Sequence, residues 1–161
     1  MQKASKATKR SIIWEPPSPE SMKFNVDGAA RGKLGPADIG GVLRECNAAV
    51  KAVFSMSIGV ADSNMAELLA VREALKMFVE IRWASSHRLI IESDSSNAIN
   101  WSLNPGGAPW LMKKHMALIE NYKQQVLSCD FVFIPREGND IADALAKSGV
   151  LKQHDLAVVY G

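Results

Sequence analysis

The feature that most constrains this chain is a single change of hydrophobic period near residue 62. Before it, Val50, Ala52, Phe54, Met56 and Ile58 recur at every second position, the repeat of a strand with one face on a core. After it, Met65, Leu68, Leu69, Leu75, Phe78 and Val79 recur at helical spacing over residues 64–83, with Asp62 to Asn64 offering an N-cap. Two further strands are expected ahead of the change. One is residues 23–27, with Phe24 and Val26 on one face and Asp27 at its end. The other is residues 39–45, reached through a glycine-containing turn at 28–36. The three strands together read as an antiparallel meander. Beyond the helix, Leu89-Ile90-Ile91 forms a short apolar run at 88–93, suited to a buried central strand that ends at Asp94. A helix over 95–103 is stopped by Asn104-Pro105-Gly106-Gly107. A second amphipathic helix is expected over 110–127, a last strand over 130–135 and a last helix over 140–148. Three antiparallel strands followed by two reached through helices imply an α/β chain. Its five-stranded mixed sheet would be flanked by helices.

With 161 residues, one domain is the expectation. Residues 1–11 carry Lys3, Lys6, Lys9 and Arg10 and almost nothing apolar, and Trp14 to Pro19 is proline-rich. Residues 1–21 are therefore expected to be a flexible leader, 22–149 the domain and 150–161 a tail without a firm signal. Apolar residues make up 47% of the chain, enough for a core, and no run of 18 apolar residues offers a membrane span. No secretory h-region is present. Cys46 and Cys129 are too few for a disulfide framework and lack metal-ligand spacing, so both are expected to be reduced, in an intracellular setting, nucleus or cytoplasm. A net charge of +2 neither announces nor forbids nucleic-acid binding, because phosphates respond to a local basic face.

Four acids stand out by position: Asp27 and Asp94 at strand ends, Glu67 in the first turn of the long helix, and Asp143 in the last helix. Strand ends of an open α/β sheet form the usual ligand crevice. Carboxylates gathered there need an offset to their repulsion, which a divalent cation supplies. Each acid also has a plainer role open to it. Asp94 can cap the helix after it, and Glu67 can complete a capping box begun by Asn64. Asp27 can be a turn residue, and Asp143 an exposed helix acid.

The surrounding words favour the first reading. Asn25-Val26-Asp27-Gly28-Ala29, Met65-Ala66-Glu67-Leu68, Glu92-Ser93-Asp94-Ser95 and Asn139-Asp140-Ile141-Ala142-Asp143-Ala144-Leu145-Ala146 occur in this order. Together they resemble the ribonuclease H family, in the branch common in plant non-LTR retrotransposons, over residues 22–148. Trp14 with Pro16-Pro17 resembles the linker that precedes the domain in that branch.

The resemblance implies an RNase H-like fold and an endonuclease that cuts the RNA strand of an RNA/DNA hybrid, leaving 5′-phosphate and 3′-hydroxyl ends. It implies that Asp27, Glu67, Asp94 and Asp143 hold two Mg²⁺ ions, for which Mn²⁺ can substitute. It further implies contact with the hybrid from Gly28, Arg31, Ser63, Asn64 and Glu67 near the RNA 2′-hydroxyl. Ser95, Ser96 and Asn97 would contact a DNA phosphate, with Arg136 and Asn139 also at the substrate. A monomer is expected, free or as a piece of a reverse-transcriptase polyprotein. Two departures bear on activity. Familiar members carry a histidine on the loop before the last helix; here that loop runs Arg136-Glu137-Gly138-Asn139, and His87, His115 and His154 lie elsewhere in the sequence. A basic helix-and-loop handle is also replaced by the short link 104–109, with Lys113, Lys114 and Lys123 as partial substitutes. A catalytically weak or inactive hybrid-binding module is therefore the alternative, and a different nuclease on the same fold is a third. Trp83, Trp101 and Trp110 are open to either nucleotide stacking or core packing.

Overall fold

The computed structural model describes residues 13–149 and 155–160. The strands are β1 (Ser21–Ala30), β2 (Gly35–Arg44), β3 (Val50–Ala61), β4 (Arg88–Ser93), β5 (Cys129–Phe133) and β6 (Leu156–Val159). The helices are α1 (Ser63–Glu80), α2 (Ser96–Leu103), α3 (Lys113–Lys123) and α4 (Asp140–Gly149). One mixed sheet runs in the order β5-β4-β1-β2-β3-β6. β1, β2, β3 and β6 pair antiparallel, while β1–β4 and β4–β5 pair parallel. The α/β class and the three-plus-two arrangement hold, with one correction: the sheet has six strands. Leu156–Val159, from the tail that gave no signal, adds to β3 at the edge. Four residues are too few for a hydrophobic period to register.

Helical ends follow their local chemistry. Asp62 accepts the Met65 N–H at 2.7 Å and Ser95 accepts the Ala98 N–H at 3.1 Å, each satisfying a free donor of a first turn. The expected helix at 110–127 opens instead as a 3₁₀ turn, Trp110–Met112, after Pro109, and α3 proper ends at Lys123.

β1 lies at the centre of the sheet and is buried along both faces. One face presents Met22, Phe24 and Val26 to a core that includes Leu68, Leu75, Phe78, Leu89, Ile91 and Ile119, drawn from α1, β4 and α3. The other presents Lys23, Asn25 and Asp27, exposed by only 8%, 0% and 4%. Two glycines bring a helix against each face. A Cβ on Gly28 would stand 2.3 Å from the Ala66 carbonyl carbon of α1. One on Gly40, which pairs with Asp27, would stand 2.4 Å from the Ala146 nitrogen of α4. Ser55, beside Gly40, donates to the Leu145 carbonyl at 2.6 Å. The sheet therefore takes α1 and α4 at near-backbone contact on opposite sides.

The described part of the expected leader packs on the domain. Trp14 stacks on Arg44, Pro17 is buried, and Lys23 Nζ donates to the Glu15 carbonyl at 2.7 Å. The basic residues Lys3, Lys6, Lys9 and Arg10 lie outside the described residues, as do 150–154 of the tail.

Candidate active site

The meeting of β1 and the end of β4 with α1 and α4 fixes the site. Asp27 lies within β1, Glu67 is on the second turn of α1, and Asp94 directly follows β4. Carboxylate oxygens from these three residues all lie within 4.8 Å of one another. Asp143, on the first turn of α4, lines the same cleft as Asp27, and its charge acts on that carboxyl. Asp27, Glu67 and Asp143 thus line one cleft, with Asp27 interacting with both of the others.

The plainer roles do not describe these acids. The N-cap of α1 is Asp62, so Glu67 completes no capping box with Asn64. The cap of α2 is Ser95, not Asp94. Asp27 is followed by three more strand residues, Gly28, Ala29 and Ala30, and is no turn residue. Asp143 is half-buried and faces Asp27.

Burial and crowding set the charge state. Burial pushes the Asp27 carboxyl up to about 7, with the charges of Asp94 and Asp143 adding to the rise and the hydrogen bond to Glu67 opposing it. Burial lifts Glu67 to about 10, aided by Asp27 and Asp94 and opposed by the Gly28 N–H. Burial also acts upward on Asp143, but Lys147, the bond to Asp27 and the charge of Arg136 outweigh it and hold that carboxyl below its ordinary value. Glu67 Oε2 and Asp94 Oδ2 are buried without a hydrogen-bond partner. Arg136 Nε stands 3.5 Å from Asp94 Oδ2, an ion pair too long for a good hydrogen bond. An all-oxygen donor set with two orphaned oxygens and disfavoured charges fits a hard divalent cation.

A small open cleft of about 220 Å³ adjoins these acids, lined among others by Asp27, Ala30, Ser63, Glu67, Arg136 and Lys147. Of the residues expected at a substrate, Ser63, Asn64, Ser96 and Asn97 are exposed at the first turns of α1 and α2. Asn97 Nδ2 donates to Asn64 Oδ1 at 3.2 Å, tying those two turns together. Ser95 is occupied as a cap, and Arg31 is exposed in the β1–β2 turn. Gly28 is buried and its N–H serves Glu67. Asn139 is 1% exposed and its amide is committed to Asn25 and the Val26 carbonyl, so it supports β1. Trp83 and Trp101 pack against the core, whereas Trp110 is 81% exposed. His115 bonds Arg72 at 2.7 Å and His87 bonds Ser86 at 2.8 Å, both away from the acids. Lys147 was not foreseen. It pairs with Asp143 at 2.9 Å, and the signal was the i,i+4 spacing on one helix face.

A mixed sheet of this order, with carboxylates gathered where β1 meets β4 and helices pressed on both faces, defines the ribonuclease H-like class. The reverse transcriptase-like family model matches residues 25–149. A protein of Arabidopsis thaliana, provisionally named a ribonuclease H protein, is 32% identical over 137 residues. That alignment covers 85% of this chain but 22% of the relative, so the chain spans about a fifth of its length. Among solved structures, LC11-RNase H1, isolated from compost by a metagenomic approach, matches with TM-score 0.75 at 27% identity, covering 81% of this chain and 96% of that one. The same protein in complex with an RNA/DNA hybrid gives 0.74 at 26% identity, with the same coverage. RNase H1 of Halobacterium salinarum shares the fold, with TM-score 0.72 at 24% identity over 81% of this chain and 97% of that one. The chain belongs to the reverse transcriptase-like family of ribonuclease H domains.

Proposed function

We propose that this domain is a metal-dependent ribonuclease H that hydrolyses the RNA strand of an RNA/DNA hybrid and leaves 5′-phosphate and 3′-hydroxyl ends. The observation that carries the reading is the packing of one carboxylate oxygen each from Asp27, Glu67 and Asp94 within 4.8 Å, with burial disfavouring the charge of Asp27 and of Glu67. Asp27, Glu67, Asp94 and Asp143 would hold Mg²⁺, or Mn²⁺ in its place. Two such ions, when bound, lower the charge on the phosphate and activate water for in-line attack.

The chain's own residues do the rest. The four carboxylates hold their positions through β1, α1, β4 and α4, so little reorganisation is needed when they ionise. Ser63 and Asn64 offer hydroxyl and amide groups to a 2′-hydroxyl, the group that separates RNA from DNA. The exposed first turn of α2, at Ser96 and Asn97, offers N–H groups to a phosphate of the other strand. Arg136, 79% exposed beside Asp94, is a cation on the loop where familiar members place a histidine. The length of the Arabidopsis relative favours a domain that works within a larger polypeptide, such as a reverse-transcriptase polyprotein of the plant retroelement branch. Among the described residues, no helix is long and apolar enough to cross a membrane.

The test is incubation of end-labelled RNA/DNA hybrid with Mg²⁺ or EDTA, beside duplex and single-stranded DNA. Cleavage of the RNA strand that EDTA stops supports the reading. Because the loop before α4 lacks a histidine, a hybrid-binding module with little or no turnover is the second reading; tight binding without cleavage supports it. Cutting of DNA indicates a different nuclease.

A further inference from the structure

The polar face of β1 leads away from the carboxylates, through a buried relay, to Trp14. The guanidinium of Arg44 lies 3.7 Å from the centroid of the Trp14 ring. Arg44 Nη2 donates to Asn25 Oδ1 at 3.1 Å. Asn25 Nδ2 donates to Glu92 Oε1 at 3.0 Å and to Asn139 Oδ1 at 3.1 Å. Asn139 Nδ2 donates to the Val26 carbonyl at 2.8 Å, one residue before Asp27. The Asn139 carbonyl accepts the Asp143 N–H at 3.0 Å and so opens the first turn of α4.

Two physical points give this relay a consequence. First, every member past Trp14 is buried: Arg44 8%, Asn25 0%, Glu92 7% and Asn139 1% exposed. Water cannot readily replace a lost partner there, so a displaced member drags its neighbours. Both amide hydrogens and the oxygen of Asn25 are in use, which leaves that side chain one orientation. Second, Arg44 depends on Trp14 for the orientation of its plane. Its Nε has no hydrogen-bond partner, so beyond the Nη2 bond to Asn25 and the charges of Asp140 and Glu92 the guanidinium is set by stacking and cation–π attraction on the indole face. The leader is also tied at Lys23, which bridges the Glu15 carbonyl and Glu92 Oε2 at 2.7 and 3.3 Å.

We infer that Trp14 and Arg44 are positioning residues, which through Asn25 and Asn139 hold the first turn of α4 so that Asp143 meets Asp27. The segment ahead of β1 is then a working part of the site rather than a spacer. The inference rests on the ribonuclease reading only for its kinetic arm.

The experiment uses the full chain with Trp14→Leu, which keeps apolar cover without a ring, Trp14→Phe, which keeps a ring, and Arg44→Lys, which keeps charge without a plane. Three quantities are read: amide exchange at Asp143 against Leu75 in the metal-free protein, Mg²⁺ affinity by calorimetry, and kcat and KM on hybrid. Trp14→Leu and Arg44→Lys should speed Asp143 exchange relative to Leu75 and weaken Mg²⁺ binding by roughly tenfold, the lower end for loss of an outer support. They should lower kcat with KM little changed, and Trp14→Phe should restore most of each. A lower melting temperature with Asp143 exchange, Mg²⁺ affinity and kcat unchanged would overturn the inference. If one variant does not fold, the other decides on the same readouts. If the wild type cuts no hybrid, the ribonuclease reading falls, while exchange and Mg²⁺ affinity still decide the role of Trp14 and Arg44.

Discussion

The two faces of β1 solve the same problem in opposite ways. Both are buried, yet one is Met22, Phe24 and Val26 and the other is Lys23, Asn25 and Asp27. A strand covered on both sides ordinarily reads as a continuous apolar run. Here the face under α1 is dry and dispersive, while the face under α4 is a row of hydrogen-bonded polar groups that ends at Asp27, in the carboxylate cluster. The difference separates stability from chemistry. The apolar face holds the sheet, and the polar face bears the cost of crowding acids that a cation can later relieve.

The contrast breaks most sharply at Phe24, fully buried and tilted on Phe54 with ring centroids 5.7 Å apart. Phe24→Ala should destabilise the fold by about 3–5 kcal/mol, the usual range for a buried phenylalanine. Denaturant titration reads the loss, and calorimetry on the remaining folded protein should find Mg²⁺ affinity unchanged. A large fall in affinity would mean that the faces are not separable.

The reciprocal change is Asp27→Asn. It removes the acid at the centre of the cluster, and the cleavage rate should fall by more than a hundredfold, beyond what loss of an outer support costs. The metal-free fold should become more stable at neutral pH, because one buried charge and its repulsion with Asp94 and Asp143 are gone. A destabilised Asp27→Asn protein would show that the carboxylate supports the fold rather than burdening it.

A third effect follows from the protons. In the folded state Asp27 and Glu67 titrate at about 7 and about 10, above their ordinary values, so over that range the native state holds more protons than the unfolded one. Stability of the metal-free protein should therefore be highest at acid pH and fall as pH rises from about 4 through 7 and beyond. The slope is up to about 1.4 kcal/mol per pH unit for each excess proton. Binding of a divalent cation needs these groups ionised, so Mg²⁺ should add more to the melting temperature at alkaline than at acid pH. Equal melting temperatures in EDTA across this range would sink the argument.

The same contrast explains what was legible beforehand. The dry face announces itself through periodicity, which is why β1, β3, α1 and the central run Leu89-Ile90-Ile91 were readable. The four acids were legible because motif words surround them. The polar face was not, because Lys23 and Asn25 alternate with apolar residues, and Arg44 and Glu92 follow apolar runs, as solvent-facing positions do, and no local pattern separates a buried polar row from a wet one. The burial of Asn139 was hidden for the same reason: its partners are 113 and 114 residues away. β6 escaped because a four-residue edge strand is specified by the register of β3 rather than by its own sequence.

The smallest expected effect lies at the solvent rim of the polar face, where Lys147 pairs with Asp143 at 2.9 Å. Lys147 is 65% exposed, and an i,i+4 pair of this kind contributes about 0.3–0.5 kcal/mol. Lys147→Met should accordingly move the melting temperature by only about 1–2 °C. Its informative consequence is electrostatic. Lys147 holds Asp143 in its charged form, so its loss should raise the Asp143 pKa toward the ordinary range. At neutral pH Asp143 stays ionised in either case, but it no longer has a lysine to release before engaging a cation. Mg²⁺ affinity should then rise by about twofold, the pair energy expressed as a ratio. Should affinity fall instead, Lys147 acts with the acids rather than against them, and the boundary between the burdened face and its solvent rim lies further out than Asp143.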